Sequence, residues 1–463
     1  MYKAMKKIIL VIQLLLLTDI STNAQDSRIL DAYIQEGLEN NLTLQRKHYS
    51  FQQSIHALYE AKSMFMPQIM LNARYSLANG GRVIDFPVGD MLNPVYNSLN
   101  QLMEQQGMEK PFREIDNIQM NFIRAREHET KLSLIQPLIN HGVSYQYRIA
   151  EEQTAISQAQ LDIYKKELIK EIKIGYFNYL KSVKILDLVD ETRLVLKENL
   201  RVTTKLYERG LITEDKVMRS RSELRKLDVN EAVAVKNFEM AKAYFNFLLN
   251  RDKSDSVILD SGYDMIHAGD TFPSDYYYQS ALDNREEIYQ LSRQYQANEY
   301  AINLAGSQFF PNISIAIDYG FQGLDYNFSS ESDFLMGSLV LQWNLFSGFS
   351  KINRKQRSMI NRDIIRNQKQ ELESNLELEV KEAYHTMKQN KKAYEAAFAE
   401  LTEAEKTYKI TYKLYLQGKA SLIELIDSRT NMTDASVMKI VAQYDILIAM
   451  AEIERISGPL MSP

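Results

Sequence analysis

YLQGKASLIELIDSR, residues 415–429, lies between two long stretches of helical pattern, and Gly418 is the only glycine between Gly348 and Gly458. A glycine placed so can enter the left-handed backbone region that ends a helix, and Ser421 then stands as N-cap of the next. The stretch predicts the sharp bend of a long helical hairpin. A counterpart lies earlier, YERGLITEDKVMRSR at residues 207–221. Tyr207, Gly210, Ser220 and Arg221 align with Tyr415, Gly418, Ser428 and Arg429 at a constant offset of 208 residues. Self-similarity of this kind points to an internal duplication.

The flanks of both bends read as long helices. Residues 143–209 hold no proline and one glycine, Gly175, and Ile172, Tyr176, Tyr179, Val183 and Leu186 step by 4, 3, 4 and 3. That is the spacing of a coiled-coil seam. At ~1.5 Å per residue the segment is roughly 100 Å long as a helix. A return helix follows from about Thr213 to Leu249. In the second half, Leu376, Val380, Ala383, Met387, Asn390, Tyr394, Ala397, Leu401, Ala404 and Tyr408 keep the same step within a helix over residues 351–417. Its return runs to about Ile456, before Gly458 and Pro459.

Upstream of each long helix the period changes from helical to alternating. Residues 27–63 read as one helix ending before Pro67. Ile69, Leu71, Ala73, Tyr75 and Leu77 then alternate with Met70, Asn72, Arg74 and Ser76, a strand over about 68–78 with one apolar face. Residues 81–130 look irregular and polar, with Pro87, Pro94 and Pro111 and a short helical piece around 97–106. A loop this long is usually functional or a cover. A second strand spans about 131–140, where Pro137 suits a central strand only if the ladder is irregular there. The second half repeats the order: a helix over 276–306, a strand over about 312–322, a short polar loop, and a strand over about 335–346. The landmark Phe65-Met66-Pro67-Gln68-Ile69 returns as Phe309-Phe310-Pro311-Asn312-Ile313. The expected organisation is a leader over 1–24, a first repeat over 25–250, a connector over 251–275, a second repeat over 276–457 and a tail over 458–463.

Composition narrows the function. The 463 residues include no cysteine, which excludes disulfides, cysteine-ligated metals, thiol catalysis and lipidation on cysteine. The net charge of −5 argues against a nucleic-acid partner. Lys3, Lys6 and Lys7, the apolar run over 8–17 and Thr22-Asn23-Ala24 form a secretory signal peptide cut after Ala24. That run is too short to span a bilayer, and no later segment is apolar enough to do so as a helix. The only way for this chain to cross a membrane is as a β-barrel. Apolar-out, polar-in strands of about ten residues are the signature of an outer-membrane barrel. Four strands are too few to close one, whereas three copies would supply 12. The fold expected is mainly α with a membrane β-barrel.

These features resemble the TolC-like outer-membrane efflux proteins over essentially the whole mature chain. The resemblance rests on the duplicated Phe-x-Pro-x-Ile, on Gln136-Pro137-Leu138 and Trp343-Asn344-Leu345-Phe346 at the second strands, and on the paired Tyr-x-x-Gly bends. It implies a homotrimer in the outer membrane, with a 12-stranded barrel and a helical tunnel reaching into the periplasm. It implies passive conduction of substrate, powered by an inner-membrane pump and joined to it by a periplasmic adaptor. The bends would be the periplasmic tips, with Gly210, Leu211, Gly418 and Lys419 as adaptor contacts.

The same resemblance assigns an acidic constriction. Glu424 and Asp427, three apart and so on one helix face, stand where the family carries two acidic residues, and a trimer would place six carboxylates in a ring. The aligned residues of the first bend, Lys216 and Arg219, are basic. The family usually has an acidic or polar residue at the position of Lys216 and a basic one at that of Ala420. The expectation here is a swapped pattern, with Lys216 or Arg219 facing Glu424 or Asp427 across the aperture. No cofactor or metal is expected, since no two of the six histidines have metal-site spacing, and no nucleophile motif suggests an enzyme. The competing reading is a structural coiled-coil protein of the envelope without a pore. A periplasmic adaptor is disfavoured, because no lipoyl-like or barrel domain flanks the helices.

Overall fold

The computed structural model describes residues 28–264 and 272–458; the expected signal peptide and part of the connector lie outside them. Among the described residues the chain is mainly helical. It divides into two compact units. One comprises residues up to Ala57, Ala150–Glu299 and Met359 onward; the other comprises Leu58–Ile149 and Tyr300–Ser358.

The elements, in chain order, are α1 (Arg28–Asn40), α2 (Leu42–Ser63), β1 (Gln68–Leu77), β2 (Val83–Phe86), α3 (Val88–Gln105), β3 (Ile118–Asn121) and β4 (Arg126–Ile139). Then come α4 (His141–Glu208), α5 (Glu214–Leu248), α6 (Ser274–Asn284), α7 (Glu286–Ser307), β5 (Asn312–Gly323), β6 (Asp333–Gln342), α8 (Ser350–Leu416) and α9 (Leu422–Ser457). The two long helices have 68 and 67 residues.

The helical unit is held by seams at heptad-like spacing. Ile172, Tyr176 and Tyr179 of α4 are buried with Tyr33 of α1 and Phe245 of α5. Tyr33 meets Phe245 edge-on at 5.1 Å between ring centroids, and the Tyr176 hydroxyl donates to the Ile258 carbonyl at 3.0 Å. Leu376, Val380 and Met387 of α8 pack with Ile453 and Ile456 of α9 and with Tyr277 of α6. Arg455, almost fully buried among these helices, donates to Glu287 at 2.7 Å and to Glu167 at 3.2 Å.

Two helices expected to be continuous are broken. Residues 27–63 divide at Asn41, whose side-chain carbonyl accepts from the backbone of Thr43 and Leu44, each at 3.0 Å, while its amide donates to the Leu248 carbonyl. An asparagine that caps its own downstream helix competes with helix continuation. Residues 276–306 divide at Arg285, which takes an extended conformation between α6 and α7.

The strand unit holds an antiparallel sheet in the order β1-β4-β5-β6 and a hairpin of β2 with β3. The register puts Leu71, Leu132, Tyr319 and Leu335 in one row across all four strands, flanked by a row containing Ile69, Leu134 and Ile317. The opposite face is polar. Arg74 pairs with Glu129 at 3.4 Å, Lys131 bridges Glu129 at 3.1 Å and Asp318 at 3.3 Å, and Asn72 donates to Ser133 at 3.3 Å. Alternation along each strand is therefore alternation between an apolar and a charged sheet face. Pro137 sits within central β4, where β1 has already ended and the ladder to β5 shifts register between Pro137 and Ile139. The ladder irregularity is what accommodates it.

Residues 81–130 are more ordered than their composition suggests. They fold as β2, the 18-residue α3 and β3 rather than as an irregular loop with a helix at 97–106. Sequence reading was misled by Pro94, which lies inside α3. The loss of one helical bond there is tolerated, because asparagine side chains tie α3 to the chain beyond it.

Candidate functional site

The two bends have the same backbone construction. Gly210 and Gly418 adopt φ of 71° and 70°. At the first, the Leu211 amide donates to Leu206 at 2.9 Å and the Gly210 amide to Tyr207 at 2.8 Å; at the second, Lys419 donates to Leu414 at 2.9 Å and Gly418 to Tyr415 at 3.0 Å. These are Schellman pairs, which satisfy the last carbonyls of α4 and α8. An added Cβ would meet nothing within 4 Å at either glycine, so only the backbone conformation calls for glycine there.

The entry into the return helices differs between the bends. At α9 a full capping box forms: Ser421 accepts from the Glu424 amide at 3.2 Å, and the Glu424 carboxylate accepts from the Ser421 amide at 2.6 Å. That backbone bond holds the Glu424 carboxyl below the usual glutamate range. At α5 the N-cap Thr213 makes no side-chain bond to the helix amides; its hydroxyl binds the Asp215 carboxylate instead.

The sequence-predicted charges lie where the bends turn outward. Glu424, Asp427 and Arg219 are exposed and Lys216 is half-buried. Glu424 is committed to its cap, and Asp427 forms no ion pair among the described residues. Lys216 pairs with neighbouring Asp215 at 3.0 Å. Within one chain, no ion pair among the described residues joins Lys216 or Arg219 to Glu424 or Asp427. For Glu424 and Lys216 the cause is local: Ser421, three positions back, takes the carboxylate, and Asp215, one position back, takes the ammonium.

The tips enclose a groove of about 420 Å³, lined by Leu206, Leu211, Ile212 and Lys216 from the first bend and by Tyr415, Gly418 and Leu422 from the second. Of the expected contact residues, Leu211 and Gly418 line it. Leu211 is 66% exposed, a large apolar side chain held out by the turn. Beneath the groove Tyr415, Leu422 and Leu425 are buried together.

A buried polar layer below the tips escaped sequence reading. Arg429 donates to Glu223 at 2.8 Å, with 9% and 11% of the side chains exposed. Nearby Thr203 shares a hydrogen bond of 3.1 Å with the Tyr415 hydroxyl, and Ser220 donates to Thr203 at 3.3 Å. The layer ties α4 and α5 to α8 and α9. Its sequence trace was in the duplicated Ser220-Arg221 and Ser428-Arg429, which mark the repeat. Only Arg429 of the two arginines is buried, and nothing in a single sequence announces that difference.

Residues 277–459 match the model of the outer membrane efflux protein family. No curated protein matches the chain. Among solved structures, the outer-membrane channel OprN superposes with a TM-score of 0.76 at 14% identity, covering 93% of this chain and 90% of that one. The CmeC outer membrane channel of Campylobacter jejuni gives 0.75 at 17% identity, covering 93% and 85%. The open state of the MtrE outer membrane channel of Neisseria gonorrhoeae gives 0.74 at 15% identity, covering 93% and 89%. The resemblance to the TolC-like outer-membrane efflux proteins thus has two supports: a family pattern in the second half, and the fold along nearly all of the chain.

Proposed function

We propose that this chain, an outer membrane efflux protein by the family pattern over residues 277–459 and by its channel fold, is an outer-membrane exit duct extending into the periplasm. It conducts substrates passively, as the outer part of a tripartite system with a periplasmic adaptor and an inner-membrane pump. The observation that carries this reading is the four-stranded sheet. One face is apolar, the other is laced with Arg74, Glu129, Lys131 and Asp318, and among the described residues β1 and β6 each have a single partner strand. A two-faced sheet with two free edges suits closure against copies of itself, with the apolar face to lipid and the charged face to water. Three copies give a 12-stranded barrel.

The tips are the adaptor contact and the gate. Leu211 and the groove between the two bends offer an apolar footing for a helical partner, with Gly418 in its lining and Gly210 and Lys419 next to lining residues in the chain. Asp427 and Glu424 of three copies form the acidic constriction, and Lys216 or Arg219 of one copy faces the acidic pair of a neighbour. Exposed pairs of this kind are worth only about 0–1 kcal/mol each, so an adaptor that binds the open form better can shift the equilibrium.

Conductance across a planar bilayer tests the reading. The purified trimer should give a small, cation-selective conductance, and Glu424→Ala/Asp427→Ala should enlarge it or weaken its selectivity. A pore indifferent to both substitutions would remove the constriction and keep the duct. A chain that never inserts into membranes would remove the duct.

A further inference from the structure

Helix α3 holds the chain beyond it mainly through polar contacts and leaves an apolar stripe exposed. Its inward side carries Asn93 and Asn100, with Tyr96 stacked on Phe112 between them. Asn93 both donates to the Ile115 carbonyl and accepts from the Ile115 amide, each at 2.9 Å. One heptad on, Asn100 does the same to Phe112, at 2.7 and 3.1 Å. Two asparagines seven residues apart on a helix rise about 10 Å, which matches three residues of extended chain. They therefore hold residues 112–115 as a paired strand edge would. With Asn93, Tyr96 and Asn100 taking up its inward side, α3 leaves Met91 (71% exposed), Val95 (53%) and Leu102 (57%) outward, beside Leu92 and Leu99.

Leu92, Val95, Leu99 and Leu102 are spaced 3, 4 and 3, the step of a knobs-into-holes seam. The charges speak against a bilayer surface as the occupant. Asp90 and Glu104 are the only charged residues of α3, and a membrane-surface helix favours lysine or arginine along its polar face. The segment is also continuous with a free sheet edge. The chain reaches it from β1 by way of β2, at the end of the sheet where the β5–β6 connection also lies, and among the described residues β1 pairs with β4 alone.

We infer that α3 is a self-association helix, whose Leu92–Val95–Leu99–Leu102 seam packs against the same seam in neighbouring copies of this chain. The inference rests on the reading that copies meet along the β1 and β6 edges. Three such helices form a small bundle at the loop end of the joined sheets, closed by residues that a single chain leaves in water.

The chain has no cysteine, so single thiols report without background. Val95→Cys and, separately, Leu102→Cys are placed in the full chain, assembled in outer membranes and treated with a short bis-maleimide. Gln101→Cys, on the exposed polar face, serves as control. Heat-resistant trimers on gels report assembly in every variant. The expected result is a covalent dimer band for most of the Val95→Cys and Leu102→Cys chains, and little for Gln101→Cys. Heat-resistant trimers without cross-links at either seam position would overturn the inference and leave the duct standing. So would seam thiols quenched by a lipid-borne probe, or cross-linked to a different protein. Absence of trimers in the unsubstituted chain would overturn the reading beneath it and the inference together.

Discussion

At the scale of single residues, the tip region is governed by one buried ion pair and one capped carboxylate. Arg429 and Glu223 are joined across two helices that the chain separates by 206 positions. Lys226 also reaches Glu223 at 2.8 Å, but from an exposed position. Removing the arginine leaves a carboxylate in a site 11% exposed, and broken buried pairs cost about 3–5 kcal/mol. Because Lys226 remains, Arg429→Met is expected near the lower end, about 3 kcal/mol. The loss should appear as faster amide exchange over residues 415–430. Arg429→Met/Glu223→Leu should recover most of it, since an apolar pair of similar volume leaves no orphaned charge. Glu424 makes a separate prediction. Its carboxyl is depressed by the Ser421 amide, so its contribution is complete above the pH where an unfolded glutamate titrates, about 4.3. It is lost as pH falls through the lower folded value. Amides at the start of α9 should lose protection as pH falls below the ordinary glutamate range, and Glu424→Gln, which keeps the acceptor, should remove that dependence on pH. The pattern Ser421-x-x-Glu424 is itself a capping-box signature, so this role was legible in the sequence. Reading both acidic residues as constriction groups hid it, and the structure leaves Asp427 the freer of the two.

At the scale of elements, the bends were legible because a lone glycine between two long heptad-like runs has few other uses. Gly210 and Gly418 have matching φ and matching hydrogen bonds. Gly210→Ala and Gly418→Ala should therefore cost the same, about 1 kcal/mol each, from the left-handed backbone alone. Local exchange at each tip measures this, and a much larger loss at one bend would mean that the added methyl meets something there. The strands were legible from alternation, since a period of two has a direct physical counterpart in the two sheet faces. The breaks at Asn41 and Arg285 were not, because they depend on where other elements lie: Asn41 needs the Leu248 carbonyl across the helical unit. Helix α3 was hidden for a related reason. Pro94 lies inside it and Pro87 immediately precedes it, which breaks the run that its apolar spacing would otherwise announce, and the Asn93 and Asn100 bonds that hold it depend on where residues 112 and 115 lie.

For the whole molecule, the decisive question is which solvent each sheet face meets, and neighbouring residues of β6 can answer it. Leu339 is 72% exposed on the apolar face, and Val340 is 44% exposed on the face that carries Asp318 and Lys131. In a water-soluble protein both positions are surface, and lysine at either would change little. In a membrane barrel they differ completely. Lysine on the lipid face costs about 2–4 kcal/mol per copy near the bilayer midplane, whereas a lumen position is solvated. Three copies multiply the cost on the lipid side. Leu339→Lys should therefore abolish heat-resistant trimers in the outer-membrane fraction. Val340→Lys should assemble normally and instead shift the ion selectivity of the pore, since it adds a cation to a wall already lined by charge. Equal tolerance of both substitutions would mean that the apolar face meets water, and the free edges of β1 and β6 would then need a partner other than a copy of this chain in a bilayer.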